Sequence, residues 1–245
     1  MKICLAQTRP VTGDIAQNIQ RHKMFVETAV SHQTDLILFP ELSLTGYEPT
    51  LAQELAMRHD DPRLDIFQTM ADAGPITIAV GVPTRSSPRP GISLLIFQPG
   101  QPRGIYTKQF LHTDEEPFFT AGPTTTALIG PHREAALAIC YELSVPEHAA
   151  AAATSGAQIY LASVAKSARG MAAAHGRLAQ IAQTYGMAAL MVNSVGLADG
   201  EWCAGQSAVW NREGQRLTQL DDTAEGVFIY DTVSQAVILE TLTPE

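Results

Sequence analysis

Short, unbroken apolar runs recur along this chain, spaced by segments of helical periodicity as far as residue 192 and by turns alone beyond it. Residues 2–8, 35–39, 76–84, 92–99, 135–140, 159–163 and 188–192 are rich enough in aliphatic and β-branched side chains to form strands. Residues 14–30 set Ile15, Ile19, Val26 and Val30 near one helical face, behind Asp14 as N-cap. Residues 61–73 carry Asp61 as cap and Pro62 at the first helical position, and 146–154 and 170–185 read as further helices. A strand that is apolar along its whole length needs cover on both faces. After residue 192 only strands follow, at 207–211 and 227–231, which does not suit a simple doubly wound sheet. Two sheets packed face to face, each with helices outside, accommodate the whole pattern. No polar stretch is long enough for a linker, so one α/β domain over residues 1–245 is predicted.

Charge narrows the partners. Sixteen basic and 25 acidic residues leave a net charge of −9, and only 17% of residues are charged, against about 25% in an average globular chain. Such a chain has no electrostatic reason to seek nucleic acid or an anionic membrane. Low charge beside 45% hydrophobic residues points to many-layered burial or an oligomer. No apolar run approaches the roughly 18 residues needed to span a bilayer. The first apolar run breaks at Arg9, too early for a signal peptide. Three scattered cysteines, Cys4, Cys140 and Cys203, form no disulfide framework and suggest a reducing compartment, the cytoplasm.

Three segments place reactive side chains where chemistry is possible. In LILFPELSLTGYEP (36–49), a strand runs into Pro40, which cannot continue a ladder, and Glu41 is presented at its end. Apolar neighbours there would desolvate the carboxylate and raise its pKa towards that of a general base. A solvated carboxylate capping the next turn is the equal alternative. Lys108 follows Ile105 and Tyr106 and precedes Glu115 and Glu116. A lysine in such a stretch more often snorkels to water. Held by one of the glutamates, it would instead aim an ammonium at a developing oxyanion. The strongest segment is EAALAICYELSVPEHA (134–149), where Cys140 closes a buried strand shortly before Pro146 opens a helix. At such a corner backbone N–H groups can point at a substrate. Cys4 and Cys203 lack this setting, although a small core hydrophobe is the commonest fate of a free cysteine.

A cysteine nucleophile needs a base. Only His148 and His175 follow Cys140, both on predicted helices, which argues against a papain-like dyad. The histidines show no HxH or HxxxH spacing and there is no CxxC, so no metal site is expected. No GxGxxG or GxxxxGK[ST] run offers a nucleotide site, and no cofactor is expected.

Together the three segments resemble the nitrilase superfamily of carbon–nitrogen hydrolases, in its amidase-like branch. The resemblance lies in Phe39-Pro40-Glu41 with Gly46, Tyr106-Thr107-Lys108 with Leu111, and Cys140-Tyr141-Glu142, in that order. It extends to Leu5-Ala6-Gln7, to Asn193 with Gly196, and to Gly205-Gln206-Ser207. Ser144-Val145 and Thr184-Tyr185 depart from the family pattern without touching the three chemical positions.

The resemblance implies a four-layer α-β-β-α sandwich of two mixed sheets with catalytic Glu41, Lys108 and Cys140. It implies a supporting Glu115, with Glu116 as the adjacent alternative, and the Tyr141 backbone N–H as an oxyanion donor. Relatives position substrates with the loop after the 159–163 strand. Lys166 or Arg169 there would hold a substrate carboxylate, unless both are ordinary exposed charges. In the implied reaction Glu41 takes the Cys140 proton, the thiolate is favoured by Lys108, and a thioester forms and is hydrolysed. A small linear amide is the leading substrate. A nitrile or an N-carbamoyl amine is the alternative, as is an inactive binding or scaffold protein. Family members usually dimerise, so a homodimer or higher homo-oligomer is expected, with the apolar stretch 233–239 as a candidate interface.

Overall fold

The computed structural model describes residues 1–241. Along the chain the elements are β1 (Lys2–Gln7), α1 (Ile15–Ser31), β2 (Leu36–Leu38), α2 (Ala52–Leu55), α3 (Asp65–Ala73), β3 (Thr77–Thr84), β4 (Gly91–Phe97), β5 (Gly104–Thr107), β6 (Leu128–Ile129) and β7 (Ala135–Ile139). They continue with α4 (Pro146–Thr154), β8 (Ile159–Val164), α5 (Ala168–Tyr185), β9 (Ala188–Asn193), β10 (Val195–Ala198), β11 (Glu201–Ala204), β12 (Ala208–Trp210), β13 (Arg216–Gln219), β14 (Gly226–Asp231) and β15 (Val237–Thr241). One sheet runs β15-β14-β1-β2-β3-β4-β5, a second runs β13-β12-β9-β8-β7-β6, and β10-β11 is a separate hairpin. Both large sheets are mixed. Strands β1-β2-β3 and β7-β8-β9 pair in parallel, and the flanking strands pair antiparallel.

The unbroken apolar strands explain the layers. Successive strand side chains point to opposite faces. Ile3 and Leu5 of β1 and Leu36 and Leu38 of β2 pack with Leu137, Ile139, Leu161 and Leu190 of the other sheet. Cys4, Ala6 and Ile37, lying between them in sequence, face Ile19, Phe25 and Val26 of α1 and Phe67 of α3. Ala136, Ala138, Tyr160 and Ala162 face outward onto Ala149 and Ala152 of α4 and Leu178 and Ile181 of α5. The result is helix, sheet, sheet, helix. Each large aliphatic side chain so buried contributes about 1.5–3 kcal/mol.

Local signals hold at most helix ends. Asp14 Oδ1 accepts from Gln17 N–H at 2.9 Å and starts α1. Asp61 accepts from Arg63 N–H at 3.0 Å, but it caps a 3-10 turn, Pro62–Leu64, that leads into α3. Strands β5, β6, β10, β11, β13 and β15 are short or half-exposed, and their patterning is too weak to announce them. The 233–239 stretch becomes a turn and the start of β15 at a sheet edge, leaving Val233, Ile238 and Leu239 exposed. No helix among the described residues is long and apolar enough to cross a membrane.

Strand direction positions the reactive groups. Strands β3 and β5 both oppose β4, and β2 is parallel to β3, so β2 and β5 run the same way and finish on the same side of their sheet. Glu41 follows β2 and Lys108 follows β5, whereas Cys140 follows β7 in the facing sheet.

Candidate active site

Glu41 is set by a backbone that only a glycine neighbour allows. Phe39 N–H donates to Ala79 O at 3.0 Å, extending the ladder, and Pro40 ends it. The chain then passes directly over β3. A Cβ on Gly81 would lie 2.2 Å from Pro40 O and 2.5 Å from Leu42 N, so any side chain there would displace the glutamate. Leu42 takes a φ of 52° in this turn. Beneath it, His22 stacks on Phe39 with ring centroids 4.0 Å apart. Burial holds His22 far below its usual range, at about 3, so the ring is neutral. Its Nδ1–H then donates to Asn18 O at 2.7 Å, and Nε2 accepts from the Ser43 hydroxyl at 2.9 Å. Sequence reading had no signal for either His22 or Gly81.

Lys108 is wholly buried between two carboxylates. Its Nζ donates to Glu41 Oε1 at 2.8 Å and to Glu115 Oε1 at 2.6 Å. Glu115 also accepts the Tyr47 hydroxyl at 3.0 Å and the His112 N–H at 2.8 Å. Tyr47 follows the motif glycine Gly46, and no separate pattern pointed to it. Glu116, one residue on, is exposed to solvent. The glycine closing this loop is also required: Gly122 N–H donates to Lys108 O at 2.8 Å, and a Cβ there would meet Thr107 O at 2.5 Å.

Cys140 begins a 3-10 turn, Cys140–Ser144, with a φ of 47°, a left-handed backbone that costs a side-chain-bearing residue on the order of 1–3 kcal/mol. The corner brings the thiol close enough to the Glu41 carboxylate to stabilise its charge. Tyr141 N–H belongs to the first residues of this turn, whose amides have no partner within it. The nearby His148 is no base for the sulfur. Its Nδ1 meets the Tyr160 hydroxyl at 2.8 Å and its Nε2 the Tyr106 hydroxyl at 2.8 Å.

The electrostatics correct one expectation. Burial first, then the Glu41 charge, pushes the Cys140 thiol up to about 11, while Lys166 and Lys108 only partly counter this. The ammonium of Lys108 already faces two carboxylates, so the trio is net negative and a resting thiolate is disfavoured. Burial also raises the Glu41 carboxyl above its ordinary value, which strengthens it as a base. Burial alone would lower the Lys108 ammonium, but the Glu41 and Glu115 charges outweigh it and keep it protonated. Glu41 Oε2 is buried without a hydrogen-bond partner.

A cavity of about 400 Å³ reaches Cys140 and Glu115 and is also lined by Tyr47, Tyr141, Lys166 and Cys203, while Glu41 and Lys108 stand buried behind its wall. Lys166 is half-buried. Asn193 Oδ1 accepts its N–H at 2.8 Å, and Asn193 Nδ2 donates to its carbonyl at 3.0 Å. The motif asparagine thus clamps the residue that brings an ammonium to the cavity. Among the described residues that ammonium has no carboxylate or hydrogen-bond partner. Arg169 instead points to solvent, 3.6 Å from Glu201. Among the described residues no cluster of three or more His, Cys, Asp or Glu side chains is arranged to hold a metal ion.

Known proteins share this architecture. The family model described as carbon–nitrogen hydrolase matches residues 2–239. A probable nitrilase of Schizosaccharomyces pombe is 25% identical over 238 residues, covering 93% of this chain and 87% of its own. An (R)-stereoselective amidase of a Pseudomonas species is 27% identical over 201 residues, covering 81% of this chain and 73% of its own. The structure of an amidase from Nesterenkonia sp. AN1 in complex with butyramide superposes with a TM-score of 0.84 at 22% identity, covering 94% of this chain and 89% of that one. With the family model spanning nearly the whole sequence and the layered fold in agreement, this chain belongs to the carbon–nitrogen hydrolase family.

Proposed function

We propose that this protein hydrolyses a small linear amide through a thioester on Cys140, releasing ammonia or an amine and a carboxylic acid. One observation carries the reading: a buried Glu41–Lys108–Glu115 cluster stands beside a protonated thiol at the wall of a small cavity. Glu41 Oε2, lacking any partner, takes the thiol proton as sulfur attacks the amide carbon. Lys108 and the Tyr141 N–H stabilise the oxyanion, and losing one such donor typically costs about 10²–10³ in rate. Protonated Glu41 returns the proton to the leaving nitrogen, because an amide nitrogen departs poorly as an anion. Water, deprotonated by Glu41, then attacks the thioester, and Cys140 leaves and regains a proton.

The cavity volume lies at the low end for ligand sites, which suits a small substrate. Butyramide in the Nesterenkonia amidase supports the same size class. The unpartnered Lys166 ammonium supports a substrate with a carboxylate away from the amide. We further infer a cytoplasmic homodimer, since the cysteines are unpaired and the β15 edge leaves Val233, Ile238 and Leu239 exposed. Gel filtration of the chain cut after Asp231 reads the dimer; an unchanged elution class removes that edge as the interface.

The decisive assay incubates wild type and Cys140→Ala with neutral amides, carboxylate-bearing amides, N-carbamoyl amines and nitriles, and measures ammonia and intact mass. Turnover confined to wild type, with an acyl adduct on Cys140, is expected. Turnover retained in Cys140→Ala ends the mechanism, and turnover of nitriles alone selects the nitrilase alternative. Glu41→Gln is expected to fold and lose activity; normal rates remove it as the base.

A further inference from the structure

Directly below the reactive groups lies a buried carboxylate that the reaction does not use. Glu142 is wholly buried in the turn that begins with Cys140. Its Oε2 accepts the Ile139 N–H at 2.7 Å, immediately before the nucleophile, the reach-back of a capping box. Its Oε1 accepts the Gln109 N–H at 2.5 Å, immediately after Lys108. The two amides belong to different sheets. Ile139 ends β7 of the six-stranded sheet, and Gln109 follows β5 at the edge of the seven-stranded one.

We propose that Glu142 is a positioning residue that ties the lysine-bearing end of one sheet to the cysteine-bearing turn of the other, and so sets the separation of Lys108 Nζ and Cys140 Sγ.

A one-way chain of donors supports the tie. The Tyr106 hydroxyl donates to Glu142 Oε2 at 2.7 Å, so its oxygen must accept from the His148 Nε2–H at 2.8 Å and from Gln109 Nε2 at 3.0 Å. His148 Nδ1 then accepts from the Tyr160 hydroxyl at 2.8 Å. Burial lowers His148 to about 4, which keeps the ring neutral and the chain directed. Every proton in it points towards the carboxylate, and three donors converge on an anion that two sheets share. The groups facing Glu142 are Tyr106 and Lys108 from the β5 end, His148 from α4 and Tyr160 from β8, while the buried face of α5 is apolar. Burial raises the Glu142 carboxyl to about 7, and the three donors oppose that rise. A neutral carboxyl must turn its own O–H away from one of these donors, which loosens the tie as pH falls.

The kinetic test rests on the amide-hydrolase reading. Glu142→Gln keeps the shape but sets an NH2 against at least one of the converging donors. With an amide that wild type turns over, kcat and kcat/KM are expected to fall together by about 10- to 100-fold, the effect of misplacing groups by about 1 Å. Tyr106→Phe keeps both main-chain bonds and removes one donor, so the acidic limb of kcat moves to higher pH, which a general packing defect would not produce. A folded Glu142→Gln with kcat within about twofold of wild type overturns the proposal. Should that variant not fold, an unmoved limb in Tyr106→Phe overturns it. If wild type turns over no amide, the function reading fails separately. The tie is then judged by acrylamide alkylation of Cys140, expected about tenfold slower in a folded Glu142→Gln, or in Tyr106→Phe if the first variant does not fold, and equal rates overturn it.

Discussion

Glu115 Oε1 stands 2.6 Å from Lys108 Nζ, closer than the 2.8 Å that separates the same ammonium from Glu41. Glu115 is itself held by the Tyr47 hydroxyl and the His112 N–H, so it is the fixed side of the pair. The lysine is thereby stopped from forming a full ion pair with Glu41 alone.

Glu115→Gln should therefore produce two effects of opposite sign. Removing one negative charge lowers the Cys140 pKa, since Glu115 is among the charges that raise it. Releasing the Lys108 ammonium slows turnover by about 10²-fold, as for a lost or misaligned oxyanion donor. Steady-state rates and the pH profile of Cys140 alkylation check both. A slower enzyme whose thiol is no more acidic removes the electrostatic account.

The resting thiol should be unusually sluggish towards reagents that are not amides. With its pKa near 11 rather than 9, its thiolate fraction at pH 8 is about 100-fold below that of an ordinary cysteine. A small thiosulfonate should accordingly label Cys140 more slowly than a model thiol at pH 8, with the rate climbing up to about pH 11. Ordinary kinetics at pH 8 contradict a protonated sulfur beside Glu41.

Acid should destabilise the fold through His22. Its folded pKa of about 3 lies below the unfolded 6.5, so the stability of the neutral ring is fully present above pH 6.5 and is lost as pH falls towards 3. The full effect is on the order of 5 kcal/mol. His148 acts in the same direction. Glu142 and Glu41, both raised by burial, act oppositely, the Glu142 contribution being complete below about 4.5 and lost as pH rises through 7. The His22 share is therefore read as a difference: the urea midpoint of wild type relative to His22→Gln should fall between pH 6.5 and 4.5. A difference independent of pH over that range contradicts the assignment.

Gly81→Ala should cost about 1–3 kcal/mol, the usual penalty of overpacking, and should also reduce kcat, because the displaced backbone carries Glu41. Gly176→Ala is the control. Its Cβ meets nothing within 4 Å on α5, so stability should rise by about 0.5–1 kcal/mol with kcat unchanged. Thermal melts and rates measured on both variants separate the two outcomes.

Much of the architecture was readable in the chain. Strands apolar at every position can only be buried from both sides, which is why β1, β2, β7, β8 and β9 implied two covered sheets. Asp14 and Pro146 announce helix starts because capping and proline geometry act within a few residues. The three reactive residue types, and the corner that carries Cys140, were equally local. Tertiary structure alone decided which carboxylate holds Lys108, that Gly81 must be bare, that His22 packs beneath the Glu41 turn, and that the thiol rests protonated. These depend on Coulomb and steric terms between groups remote along the chain, 67 residues apart for Glu41 and Lys108. Such terms act only once β2 and β5 end on the same side of one sheet, facing the end of β7 in the other.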